Sequence, residues 1–195
     1  KTAILDPSGG FTYQQLTENS HQVAQILLQG KADLNQSRVA FMVNPGFDYV
    51  KIQWGIWQAG GIAVPLCITY PLPSLTYVLE DTQANILIVG PEYEEILKDY
   101  ALEKGIRLLR LNDLETSIPP ASLPEISKDR GAMILYTSGT TNLPKGVLTT
   151  HANLESQIST LVEAWQWSTK DHTLCLLPLH HVHGIINVVS CALWS

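Results

Sequence analysis

"AMILYTSGTTNLPKGVLTT", residues 132–150, is the stretch on which the reading of this chain turns. It opens on an apolar run, Ala132-Met133-Ile134-Leu135, of the kind that forms a buried strand. It then passes at once into hydroxyls, glycine, proline and lysine, and a second strand is expected near 146–150. Gly139 and Gly146 permit backbone angles closed to other residues and let a ligand approach the main chain. Thr137, Ser138, Thr140 and Thr141 can donate hydroxyl hydrogen bonds. Consecutive amides in such a turn form an anion-binding concavity. Lys145 adds a mobile positive charge suited to phosphate. Together these are the parts of a polyphosphate cradle. The alternative is a Ser/Thr-rich surface turn between two strands. A Walker loop is excluded, because Pro144 precedes the lysine and the G-x-x-x-x-G-K-[ST] spacing is absent.

Outward from this loop, strands and helices alternate. Ala3–Leu5 reads as a short strand. In "TYQQLTENSHQVAQILLQG", Thr12 and Gln15 have capping-box spacing and Leu16, Val23, Ile26 and Leu27 mark one helical face. "RVAFMV", 38–43, reads as a buried strand, and Asn44-Pro45-Gly46 turns the chain into a helix over 47–59. Strands are expected at 62–66, 85–89 and 106–111, with helices at 74–81 and 91–104. Residues 112–130, with Pro119, Pro120 and Pro124, read as a loop. A helix from about Asn153 to Trp165, a strand at 174–177 and a His-rich turn into a last helix complete the order. His151 and Asn153 read as caps of the helix they begin. The fold class expected is α/β, with a mainly parallel sheet covered by helices on both faces. Ligands of such sheets sit at the carboxyl ends of strands, and the loops 137–146 and 178–184 both follow expected strands.

Composition limits the function classes. The 195 residues suffice for one domain with a sizeable core, with 45% hydrophobic and 15% charged residues and no disordered tract. A formal net charge of −6 argues against a broad grip on nucleic acid or an anionic membrane. No apolar run approaches the roughly 18 residues of a membrane span. Cys67, Cys175 and Cys191 sit among apolar neighbours with no ligand or disulfide spacing, so buried reduced thiols are expected. Trp54, Trp57, Trp165, Trp167 and Trp194 are expected to pack in the core, and Glu94-Glu95 to form a solvated face. His180, His181 and His183 invite a metal reading, but no Cys, Asp or Glu joins them and their spacing matches no ligand pair. The start, "KTAILDPSGG", has no apolar core of a signal peptide. The last apolar run, "HGIINVVSCALWS", ends without a helix stop signal, and a piece of a longer protein is expected.

"YTSGTTNLPKGVLTTHANL" resembles the signature loop of adenylate-forming enzymes: acyl-CoA synthetases, 4-coumarate ligases, luciferases and nonribosomal-peptide adenylation domains. "LLPLHHVHG", 176–184, is similar to the second core motif of that family. "FTYQQL" and "GGIAVPLCITYPLPSLTYVLEDTQANILIV" follow the family's opening in order and spacing, so the resemblance covers essentially the whole chain. The tract "LPLHHVHGIINVVSCALW" looks most like the malonyl- and methylmalonyl-CoA synthetase branch. One position departs: Asn142 stands where the family usually has Gly, and Asn is the non-Gly residue most tolerant of a left-handed conformation.

The resemblance implies two half-reactions. A carboxylate attacks the α-phosphate of ATP to give an acyl-adenylate and pyrophosphate, and the thiol of coenzyme A then displaces AMP. It implies that Thr137, Ser138, Gly139, Thr140, Thr141, Asn142 and Lys145 hold the β- and γ-phosphates, with Thr141 meeting Mg2+ that enters with ATP. It places His181 beside the reacting carboxylate and α-phosphate as the catalytic position, and His183 and Gly184 along the acyl pocket. Imidazolium at His183 would favour a small acid with a second carboxylate. The family's later motifs are not in these residues, so the chain is expected to be the N-terminal portion of the AMP-binding domain, without the C-terminal domain and inactive alone. The alternatives are an amino-acid adenylation domain and a non-catalytic nucleotide-binding relative. Partners expected are a small carboxylic acid, ATP and coenzyme A, with no nucleic acid. The expected location is the cytoplasm or the mitochondrial matrix.

Overall fold

The computed structural model describes residues 1–116, 122–137 and 143–195. The chain divides into two compact units, Lys1–Ile126 and Ser127–Ser195. The boundary falls in the proline-bearing loop expected at 112–130.

The first unit begins with an antiparallel hairpin, β1 (Thr2–Asp6) and β2 (Gly9–Thr12). Asp6 shapes its turn by accepting the Ser8 N–H at 2.8 Å, an Asx turn. Four parallel strands follow: β3 (Arg38–Met42), β4 (Ile62–Pro65), β5 (Ile86–Val89) and β6 (Arg107–Arg110), in the spatial order β6-β5-β3-β4. β4 and β5 are buried at every position, as near-continuous apolar runs in a covered parallel sheet must be. Between them run α1 (Tyr13–Leu28), α2 (Phe47–Gln58), α3 (Leu72–Thr82) and α4 (Glu94–Glu103).

The expected capping box of α1 is present. Thr12 Oγ1 accepts from Gln15 N–H at 3.2 Å, and Gln15 Oε1 accepts from Thr12 N–H at 2.8 Å. The face named from the sequence is the buried one: Leu16, Val23, Ile26 and Leu27 are all within the core. α1 lies close against α2, because Gly55 leaves room for Val23. A Cβ at Gly55 would stand 2.5 Å from Val23 Cγ1 and 2.9 Å from the Ser20 carbonyl oxygen. Arg107 of β6 ties off the carboxyl end of α1 by donating to the carbonyls of Ile26 (2.9 Å) and Leu27 (3.0 Å).

Three expectations in this unit need correction. β2 was not foreseen, since Gly9-Gly10 is poor strand sequence. α4 starts at Glu94 rather than at 91, because residues 90–93 close a turn in which Tyr93 N–H donates to Gly90 O at 3.0 Å. Glu94 is not a bare solvated charge: it pairs with Arg110 at 2.7 Å, and that hydrogen bond lowers its carboxyl pKa.

The second unit holds β7 (Gly131–Thr137), β8 (Lys145–Thr150), α5 (His151–Ala164), a π-helix (His183–Ser190) and the short α6 (Cys191–Trp194). β7 and β8 form an antiparallel pair. Thr150, not His151, caps α5. Asn153 N–H donates to Thr150 Oγ1 at 3.1 Å and Thr150 N–H to Asn153 Oδ1 at 3.0 Å, so Asn153 does the reciprocal capping. His151 instead gives its N–H to the Arg130 carbonyl. Burial, and next the Arg130 charge, lowers the pKa of its imidazole.

The expected strand at 174–177 does not form. Leu174 and Leu176 are 77% and 82% exposed, and no strand among the described residues pairs with the segment to complete a ladder. The tryptophans are not all core residues either: Trp165 and Trp194 are 54% and 56% exposed. Cys67 and Cys191 are buried thiols as expected, whereas Cys175 is half-buried. No helix among the described residues is long and apolar enough to cross a membrane.

Candidate functional site

β7 and β8 pair with Thr137 opposite Lys145, Tyr136 opposite Gly146 and Leu135 opposite Val147. The loop read as a phosphate cradle therefore springs from the end of the ladder, with the Thr137 and Lys145 Cα atoms as its two posts. Both side chains are exposed. Among the described residues no carboxylate pairs with Lys145. Ser138, Gly139, Thr140, Thr141 and Asn142 lie outside the described residues.

Gly146 is a glycine for a reason the sequence reading missed. Its φ is not among the positive ones. A Cβ there would stand 3.0 Å from Ile134 Cγ2 and 3.1 Å from Cζ of Tyr136, so the position is one of space rather than backbone freedom. The Tyr136 ring reaches across the ladder and fills the place of the missing side chain.

The His-rich turn, 178–184, is built on carbonyl groups. His181 N–H donates to Pro178 O at 3.4 Å, and the His181 carbonyl accepts from Gly184 N–H (3.1 Å) and Ile185 N–H (3.2 Å). That carbonyl opens the last helix. Gly184 is buried, and a Cβ on it would collide with the Pro178 carbonyl oxygen. Only glycine lets the chain double back here. The helix that follows is a π-helix, in which Ser190 Oγ donates to Ile185 O at 2.7 Å. Gln157 Nε2 of α5 donates to Asn187 Oδ1 at 2.8 Å and fixes that helix to its neighbour. π-Helical turns are found disproportionately at functional sites.

The turn presents His181 and His183 to solvent, while His180 is half-buried with its ring 4.1 Å from that of His181. Burial, and next the neighbouring His181, lowers the His180 pKa. Of the three histidines of the turn, His181 and His183 are the exposed ones. Among the described residues no group of three or more His, Cys, Asp or Glu side chains is arranged to hold a metal ion.

The model of the AMP-binding enzyme family matches residues 1–195. The chain belongs to that family. Among curated AMP-binding relatives, the mitochondrial malonate–CoA ligase ACSF3 of Xenopus laevis is 41% identical over 100% of this chain and 36% of its own length. The malonate–CoA ligase of Arabidopsis thaliana is 30% identical over the same shares. The ATP-bound crystal structure of MatB from Rhodopseudomonas palustris matches with a TM-score of 0.89 at 27% identity, over 100% of this chain and 40% of that one. The α/β fold with a mainly parallel sheet is thus the N-terminal part of this AMP-binding fold. The chain spans about a third of the length of these curated relatives.

Proposed function

We propose that this chain is the N-terminal portion of an ATP-dependent acid–CoA ligase acting on a small dicarboxylic acid of the malonate class. The observation that carries the reading is the pairing of Thr137 with Lys145 at the stem of the hydroxyl-rich loop. The 41% identity to a malonate–CoA ligase over the whole chain supports the choice of acid.

In this reading a carboxylate oxygen attacks the α-phosphorus of ATP, the bond to the β-phosphate oxygen breaks, and pyrophosphate leaves. The thiol of coenzyme A then attacks the acyl carbon and AMP departs. Lys145 and the Thr137 hydroxyl flank the polyphosphate as its charge shifts toward the leaving pyrophosphate, a task of electrostatic positioning. Ser138, Gly139, Thr140, Thr141 and Asn142 complete the cradle. Thr141 would help to hold the magnesium bound with ATP, and that ion would supply charge neutralisation at the phosphates. His181 stands by the reacting carboxylate, and its exposed ring is free to donate a hydrogen bond there. His183, also exposed, pairs as imidazolium with the second carboxylate, and the Gly184 backbone lines the same side of the acyl pocket. The remainder of the reaction machinery belongs to the rest of the protein, and these residues alone do not complete the thioester. The relatives named mitochondrial weigh the location toward the matrix over the cytoplasm.

The test is pyrophosphate release by the complete reading frame with ATP, magnesium and a panel of acids, with and without coenzyme A. Release with malonate, and thioester once coenzyme A is added, is expected. Release with an amino acid, and none with malonate, would replace this reading with an amino-acid adenylation domain. A folded protein that releases nothing with any acid of the panel would leave a nucleotide-binding relative without the chemistry.

A further inference from the structure

We propose that Tyr136 is a positioning residue for ATP: its ring, laid over Gly146, holds the loop stem in the register that sets Lys145 opposite Thr137. The inference rests on the reading of this loop as the nucleotide site. The two residues are partners across the ladder, one step inside the Thr137–Lys145 pair. A one-residue slip of β8 against β7 would turn Lys145 to the other face of the sheet. The loop residues cannot prevent such a slip by burial, because Thr137, Lys145, Gly146, Val147 and Leu148 are all exposed.

What resists it is the interlock of ring and glycine. Ile134 and Tyr136 lie on one face of β7, two residues apart, and both approach the space above Gly146, at 3.0 Å and 3.1 Å from where a Cβ would be. An aromatic ring over a cross-strand glycine is a known device for pinning a register that glycine by itself leaves loose. At a register one residue off, the ring would meet a side chain: Lys145 on one side, Val147 on the other. Tyr136 is half-buried and Gly146 carries no positive φ, so among the described residues close approach is what favours glycine there.

The test is a double-mutant cycle in the complete protein, read by ATP affinity in calorimetry without acid, by KM for ATP and for the acid, and by Tm. Tyr136→Ala is expected to weaken ATP binding about tenfold, the coupling typical of residues in contact, with the KM for the acid unchanged. Tyr136→Phe keeps the ring and is expected to stay within about twofold of wild type. Gly146→Ala brings a methyl against both Ile134 (3.0 Å) and the Tyr136 ring (3.1 Å) and is expected to weaken ATP binding too, with only the part owed to the ring disappearing once Tyr136 is Ala. If Tyr136→Ala fails to fold, Tyr136→Leu takes its place in the cycle.

Wild-type ATP affinity in a folded Tyr136→Ala or Tyr136→Leu protein would overturn the proposal. So would strictly additive effects of the two substitutions, or equal losses for ATP and acid. A wild type that does not bind ATP overturns both this proposal and the proposed function. A wild type that binds ATP and shows the coupling, yet releases no pyrophosphate with any acid, overturns the ligase reading alone.

Discussion

Gly184 lies directly against the Pro178 carbonyl, so that the turn carrying His181 and His183 closes only with hydrogen at that position. Gly184→Ala must push the 177–178 backbone away or unwind the start of the π-helix. Overpacking of this kind costs about 1–3 kcal/mol. In a full protein longer than about 250 residues that is a fall in Tm of less than about 4 °C per kcal/mol. Because the displaced segment presents His181, the turnover of the acid is expected to fall more than ATP affinity does. Thermal unfolding together with separate ATP and acid titrations of the full protein checks this. An unchanged Tm and unchanged turnover would show that the turn opens freely.

Lys145 makes the opposite prediction. Its side chain is exposed and pairs with no carboxylate among the described residues, so Lys145→Ala should leave stability within about 0.5 kcal/mol of wild type. If Lys145 serves the polyphosphate as proposed, loss of its charge should cost about a hundredfold in kcat/KM for ATP. Steady-state kinetics over ATP at saturating acid measures it, and an unchanged value would remove Lys145 from the site.

His183 bears on the choice of acid. An imidazolium beside a second carboxylate favours malonate over a plain monocarboxylate. His183→Ala should lower kcat/KM for malonate about tenfold or more, the worth of one charge-assisted hydrogen bond, and leave acetate or butyrate unchanged. Competition of the two acids in one pyrophosphate assay reads the ratio directly. An equal effect on both acids would assign His183 a structural part in the turn instead.

Much of this architecture was legible because its signals are local. The Thr12–Gln15 box and the Leu16, Val23, Ile26 and Leu27 stripe fix α1 from a few side chains. The apolar runs of β3 and β5 need no partner to be recognised. What was not legible depends on residues distant in space or on steric room. Gly146 reads as a conformational glycine in sequence and Gly184 carries no packing signal at all, and only their neighbours, Tyr136 and Pro178, reveal both as packing glycines. The segment 174–177 has a strand's composition, yet strand formation needs a ladder partner that its own residues do not specify. The π-helix over 183–190 shows the same run of apolar residues as an α-helix would, so its widened turn leaves no mark on the pattern. Most of the cradle's expected contacts fall on Ser138–Asn142, outside the described residues, so what the structure adds to the motif is the pairing of its stem, Thr137 with Lys145.

Asp6 gives the first unit a pH-dependent joint. Burial raises its carboxyl pKa, but hydrogen bonds from the Phe47 N–H at 2.8 Å and from Ser8 outweigh that and hold it below the usual 3.8. The carboxylate thereby caps the start of α2, where Gly46 has no side chain to do so. A carboxyl whose pKa is lower in the folded protein binds its proton more readily unfolded. Its contribution is complete above the unfolded value and disappears as pH falls through the folded one. Asp6→Asn should therefore lower stability at pH 7 and flatten the loss of stability below about pH 4, leaving the two proteins closer in acid than at neutrality. Urea unfolding at pH 7 and at successive acid values, followed by tryptophan fluorescence, measures the difference. A constant gap between the two proteins at every pH would show that Asp6 acts through its shape and hydrogen bonds alone, and not through its charge.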